Sequence, residues 1–356
     1  LSYMRKLFFP SVILLAVVSF AACTAPQSLV INVQKPPQIA LPGAIGNVIV
    51  VNNLVVQPAF QGSTIQKYDK KGNPIYEELS VPSDSLGIIL SGALYDRLAD
   101  LNYFKEVSIY DKPLRDDLSY EDIKPIDSLA VKEICQISNS DAIISLDRFF
   151  VISNALQDND GLGVKADNLD LKMSASFSIY SKEGRLISNS LTLTDSIYWT
   201  ALYYNDHLVS DNPLPSREDA LKEAARYAGE KIADALVPYW VETPRLFFNE
   251  NNSAILLAQK DQWAEALKIW EADYNQESKF KRKARLAFNI ALANELTDNL
   301  MGAISWVSIS SDLFKQAVLT GVDEQNYLRA EQYKKDLLTR YADFKLLDIT
   351  GRSSGE

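Results

Sequence analysis

Residues 47–56, NVIVVNNLVV, decide how the chain begins to fold. Seven of the ten positions are apolar and six of those are β-branched, as suits a buried strand, and the run is too short for a helix of ordinary length. A strand apolar on both faces belongs in the middle of a sheet that is covered on both sides. Helices must therefore lie nearby, and the sequence on either side supplies them.

Downstream, a polar stretch over 57–82 leads to Ser83-Asp84, which read as a helix cap. SLGIILSGALYDRLADL (85–101) then places Leu86, Ile89, Leu90, Leu94 and Leu98 on one helical face. FKEVSIY (104–110) reads as a strand, IDSLAVKEICQISN (126–139) as a second helix and DAIISLDRFFVISN (141–154) as a third strand. Two alternating runs follow, DLKMSASFSIYS (170–181) and RLISNSLTLTDSIYW (185–199). Lys182-Glu183-Gly184 between them is the link expected of a hairpin. Ser216 caps an amphipathic helix over REDALKEAARYAGEKIADALVPYW (217–240), which stops at Pro238. The order βαβαβββα predicts a mixed α/β sheet domain over 46–240.

After Pro244 the strand signals give way to helices up to about residue 345. AILLAQKDQWAEALKIW (254–270) and AFNIALANELTDNLMGAISWV (287–307) repeat one pattern. Ala254 and Ala266 are 12 apart, as are Ala291 and Ala303, and the pairs are offset by 37. Small residues suit close helix crossings, with Trp263, Trp270, Leu300 and Val307 filling the space around them. Lys260-Asp261 and Asp298-Asn299 are the expected turns. DEQNYLRAEQYKKDLLTRYADF (323–344) reads as a closing helix, and 346–356 as a disordered tail. The whole is thus α+β: an N-terminal mixed α/β domain and a C-terminal all-α array over 245–345.

Upstream, Met4, Arg5 and Lys6 precede an uncharged run, LFFPSVILLAVVSFAA (7–22). A spanning helix needs about 20 apolar residues, so this shorter run reads as a signal peptide over 1–22. Phe20-Ala21-Ala22-Cys23 resembles a bacterial lipobox, with Phe20 in place of the usual leucine. Cys23 is the expected lipidation site and mature N-terminus; acyl chains contribute about 0.8 kcal/mol per buried CH₂ to membrane anchoring. Residues 23–45, with four prolines and the strand SLVINV, read as a lipidated tether that lays down an edge strand. Thr24 follows the cysteine without an acidic cluster, which leads to an outer-membrane lipoprotein facing the periplasm.

Composition excludes more than it assigns. Formal charge is −10, and losing Arg5 and Lys6 takes the mature chain to −12, which argues against nucleic acid as a partner. The single histidine, His207, has no serine or acidic motif beside it. Cys135 reads as a small buried hydrophobe. DNDGLG (158–163) fails as a calcium loop because residue 169, where the closing glutamate belongs, is Leu; it reads as a hairpin tip. The glycines are scattered rather than grouped in a phosphate loop. No catalytic residue, metal ligand or cofactor is expected, and the chain reads as a non-enzyme.

The stretches S-D-S-L-G-x-x-L-x-x-x-L and A-V-K-E-I-x-x-x-x-x-S-D-A-I-I-S-L, each before or after a strand, resemble the periplasmic α/β domain of the TolB N-terminal domain, CsgG and LpoB. The alanine-spaced helices resemble the tetratricopeptide repeat, whose usual period of 34 differs from the 37 seen here. Together with the lipobox, the arrangement resembles a family of uncharacterised bacterial cell-envelope lipoproteins. The resemblance implies a membrane-anchored, protein-binding scaffold or assembly factor whose partner is another envelope protein. Carried onto this sequence, the repeat's groove face holds Arg285, Phe288, Leu292 and Glu295, with Asn251 and Ile255 from the preceding repeat. The alternative is a glycan- or peptide-binding module for nutrient capture, with IYWTALYYND (197–206) as its exposed aromatic patch.

Overall fold

The computed structural model describes residues 26–115, 117–159, 163–205, 207–317 and 321–349. The expected signal peptide, 1–22, and Cys23 lie outside the described residues. Two compact units divide the chain. One is Pro37–Pro238; the other joins the described residues up to Pro36 to Tyr239–Asp348.

In the first unit NVIVVN forms β2 (Asn47–Asn52), flanked in parallel by β5 (Glu106–Ile109) and β6 (Ala142–Asn159). Its two faces are buried differently. Val48 and Val50 pack against α1 (Leu86–Asp100) and α3 (Arg217–Leu236), in one core with Leu90, Leu94, Ala224 and Ala228. Ile49 and Val51 pack with Val131, Ile134 and Cys135 of α2 (Ser128–Ser138). Helices on both faces are what an apolar parallel strand requires. α1 and α3 approach closely at Gly229, where a Cβ would come within 2.5 Å of the Leu90 carbonyl oxygen.

The 18-residue β6 organises the rest. Its beginning borders β2, and Ser153–Leu156 border β3 (Ser63–Tyr68) in parallel. β3 pairs antiparallel with β4 (Pro74–Glu78), so the polar stretch 57–82 holds a hairpin that the polar composition concealed. On the other side β6, β7 (Val164–Ser181) and β8 (Leu186–Tyr204) form an antiparallel meander, and β8 carries the short β9 (His207–Leu208). The observed order contains βαβαβββα, with β3, β4 and β9 added. β6 and β7 pair as far as Asn159↔Lys165, bracketing the tip of the expected hairpin; residues 160–162 lie outside the described residues. Gly184 turns the second hairpin with φ of +77°, a conformation open to glycine.

The second unit corrects three expectations. β1 (Gln27–Lys35) does not serve the α/β sheet: it pairs along its length with β10 (Tyr239–Phe247), from Gln27↔Phe247 to Lys35↔Tyr239. Strand structure therefore continues past Pro244, which sits opposite Val30 in a two-stranded ribbon, where a residue without an N–H is tolerated. The helices are α4 (Asn252–Ala258), α5 (Trp263–Gln276), α6 (Phe280–Leu296), α7 (Leu300–Gln316) and α8 (Gly321–Ile349). The expected tail from residue 346 is instead helical through Ile349. Asp261 and Asp298 turn with positive φ between α4 and α5 and between α6 and α7. Ala254, Ala266, Ala291 and Ala303 are all fully buried.

Candidate functional site

Between the end of β2 and the start of β3, the edge of β6 has no strand neighbour. Gln57 fills the gap. Its side-chain Nε2 donates to the Val151 carbonyl (3.0 Å) and its Oε1 accepts from the Val151 N–H (2.9 Å), so one amide side chain stands in for a strand. The Ser83 hydroxyl donates to the Gln57 carbonyl, tying the approach to α1 to the same residue. This corrects the expected cap: Ser85 occupies the cap position of α1 and makes no side-chain capping bond.

Above this gap, at the carboxyl end of β2, opens a cleft of about 740 Å³. Crevices at such strand ends are where open α/β sheets bind ligands. Leu54, Leu86 and Phe149 line its inner part. Around its mouth stand Val56, Phe60, Ile88 and Leu118, with Phe60 69% and Leu118 95% exposed. Four large apolar side chains left in water around one opening exceed the scatter of single exposed residues.

The polar wall is Arg115 and Asp117. Arg115 donates through Nε and Nη2 to the two Asp117 oxygens (3.1 and 2.7 Å), and also to the carbonyls of Asp122 and Ser119. The hydrogen bond from Arg115, then those from the Ser119 N–H and Lys124, hold the Asp117 carboxyl well below the usual carboxylate range. This pair closes the 113–122 loop on itself and presents Leu118 outward; residue 116 lies outside the described residues.

Asp147, at the register shift in β6, is buried behind the same strands. It accepts from Ser145 Oγ (2.6 Å), Ser178 Oγ (2.5 Å) and Asn53 Nδ2 (3.3 Å). Burial raises its pKa, against the opposing pull of these donors. Its donors Ser145 and Ser178 sit on β6 and β7 and Asn53 follows β2, and burial likewise pushes the Cys135 thiol up to about 11, as in an inert core cysteine. Among the described residues no cluster of His, Cys, Asp and Glu is placed to hold a metal ion, and no helix is long and apolar enough to cross a membrane.

In the helical unit, the face of α6 expected to line a groove is closed over. Phe288 packs edge-to-face on Phe248 (5.3 Å between centroids), and Leu292 is fully buried. Asn289 bonds both the N–H and the carbonyl of Phe248, fastening the end of the β10 segment to α6. Glu295 is fully buried and takes both arms of Arg245 (2.8 and 2.9 Å), the Tyr333 hydroxyl (2.7 Å) and Arg340 Nη1 (2.7 Å). Burial works to raise this carboxyl; the bonds and charge of Arg245, with Tyr333 and Arg340, outweigh it and leave the pKa below 4.5. Arg285 pairs with Glu250 (2.5 Å), Asn251 caps α4 and bonds Asp273 (2.9 Å), and Ile255 is core. The sequence signal misled because an arginine, an aromatic and a carboxylate at helical spacing serve a buried ion pair as readily as a groove. The cleft mouth was missed because Phe60 and Leu118 stand alone in polar segments.

Residues 45–248 match the family model described as "Domain of unknown function (DUF8603)". The chain belongs to that family. Residues 252–339 match a second, "Domain of unknown function (DUF6340)". Curated proteins gave no match. Solved structures similar to the chain include a minor lipoprotein from Acinetobacter baumannii (11% identity over 53% of this chain and 86% of that one, TM-score 0.21). Others are a putative neuraminyllactose-binding hemagglutinin homolog from Helicobacter pylori (14%, 54% and 83%, 0.25) and lipoprotein GNA1162 from Neisseria meningitidis (13%, 53% and 98%, 0.21). Scores this low establish neither a common fold nor a common role.

Proposed function

We propose that this protein is a non-enzymatic envelope lipoprotein, anchored through lipid on Cys23 at the periplasmic face of the outer membrane, that works as a protein-binding scaffold or assembly factor. The observation that carries the binding role is the cleft at the end of β2, ringed by Val56, Phe60, Ile88 and Leu118. Burying exposed apolar area contributes about 25 cal/mol per Å², so side chains of this size could supply much of the energy of docking a partner segment. The proposed surface moves from α6, whose groove-facing side chains are spent on internal packing, to the α/β unit.

The test exchanges Phe60→Ser and Leu118→Asp together in the full chain, followed by cross-linking in the native envelope. Both side chains are exposed, so the melting temperature is expected to hold while the wild-type partners disappear. Recovery of the same partners by the folded double variant rules the cleft out. The anchor is tested separately by Cys23→Ser with a fatty-acid probe, which should abolish labelling and release the protein from the membrane fraction.

A further inference from the structure

The helical unit holds a second cavity, of about 380 Å³, where the start of β10, the α6–α7 turn and the last turns of α8 meet. Its walls are Trp240, Leu300, Met301, Tyr341 and Phe344. Three of them are largely in solvent: Trp240 is 63% exposed, Met301 55% and Phe344 53%. Other large side chains of the unit are exposed singly, as Phe280 and Leu328 are, whereas these three converge on one concavity, and that concentration calls for an occupant.

The chemistry of the inner wall says which kind. Arg340 lines the cavity, with its side chain 18% exposed. Its Nη1 is engaged by Glu295 Oε1 (2.7 Å), and that carboxylate already takes both arms of Arg245. Two guanidinium groups therefore share one fully buried carboxylate. Asp336 lies 3.7 Å from Arg245 and serves that arginine, not Arg340. A guanidinium has five N–H donors in a planar fork matched to carboxylate, and Arg340 spends one on Glu295. Asp298, on the rim, disfavours a ligand carrying more than a single negative charge.

We propose that this cavity binds the free carboxyl terminus of a peptide whose last residue is aromatic or large and aliphatic. The carboxylate sits on Arg340, and the terminal side chain lies among Trp240, Met301 and Phe344. The volume is near the lower end of the range for ligand sites, roughly 300–1,000 Å³, enough for a terminal residue and its neighbour but not a folded element. Charge complementarity selects the carboxylate, and the aromatic walls select the side chain beside it. This site is separate from the cleft of the α/β unit and does not depend on it.

The test titrates the full mature chain in detergent with the peptide Gly-Ser-Gly-Ser-Phe, its C-terminal amide, and octanoate, read by calorimetry. Saturable binding of the free acid is expected, with the amide weaker by about tenfold, the loss of one charge-assisted hydrogen bond pair. Met301→Glu, exposed and remote from the Glu295 bonds, should abolish binding with no change in melting temperature. Arg340→Lys should weaken the acid but leave the amide unaffected. Equal binding of acid and amide, no binding of the acid, or an unchanged affinity in Met301→Glu each overturns the site. Octanoate binding as tightly as the peptide would overturn the assignment to a peptide terminus.

Discussion

Glu295 lies on α6 with no exposed surface. Its carboxylate is held by Arg245, Tyr333 and Arg340 in the interior of the helical unit. Removing one partner of such a buried pair typically costs about 3–5 kcal/mol, because the charges left behind stay unsolvated. Glu295→Gln should lose stability of that order at neutral pH, measured by chemical denaturation. The sign follows from the depressed pKa. A carboxyl whose folded value lies below its unfolded value stabilises above the unfolded pKa, and that contribution is lost as pH falls through the folded one. Wild type and variant should therefore converge on acidification below about pH 4.5. A gap that is constant with pH would show that the carboxylate charge contributes nothing.

At the scale of elements, the packing of α1 on α3 rests on the absence of a side chain at Gly229. A Cβ there would meet the Leu90 carbonyl at 2.5 Å and the Leu94 nitrogen at 2.8 Å, both backbone atoms that cannot rotate away. Two effects oppose each other in Gly229→Ala. Helix propensity favours alanine by about 1 kcal/mol, while overpacking of a close contact costs about 1–3 kcal/mol. Forced movement of backbone decides in favour of the second, so a net loss of stability is expected in thermal melts. A stabilised variant would mean that the two helices do not approach as described. β6 illustrates the same dependence on neighbours. Its 18 residues border β2, then the Gln57 side chain, then β3, and that change of partner opens the cleft.

For the whole molecule, the division into units is discontinuous in sequence. The sheet and helices of the α/β unit come from Pro37–Pro238, whereas the helical unit borrows β1 from the other end of the described chain. A fragment of residues 37–238 should fold cooperatively by itself. A fragment of 239–349 should be less stable alone than with a peptide of residues 26–36 added, because β10 then recovers its nine paired partners. The measurement is the melting temperature of the second fragment as peptide is titrated. No shift at saturating peptide would contradict the shared ribbon.

Periodicity alone carried much of this architecture. The apolar run at 47–52, the i, i+4 face of Leu86, Leu90, Leu94 and Leu98, and the alternating runs around Lys182–Gly184 are local patterns that name their own elements. The alanine pairs at 254/266 and 291/303 likewise announced buried positions. The uncharged run ending at Cys23 is legible only as sequence. What sequence could not decide was pairing at a distance. The partner of β1 lies more than 200 residues away, and a strand's composition does not record which edge it meets. The β3–β4 hairpin was hidden because its short strands mix polar residues with Ile65, Ile75 and Tyr76 and show no apolar alternation. Whether Glu295 and Phe288 face a groove or a core depended on Arg245 and Phe248 arriving from β10 and the residues after it. The two candidate sites depended in the same way on convergence: Phe60 and Leu118 from separate loops, and Trp240, Met301 and Phe344 from three separate segments. A surface assembled from distant segments carries no local period, so only the tertiary structure could place it.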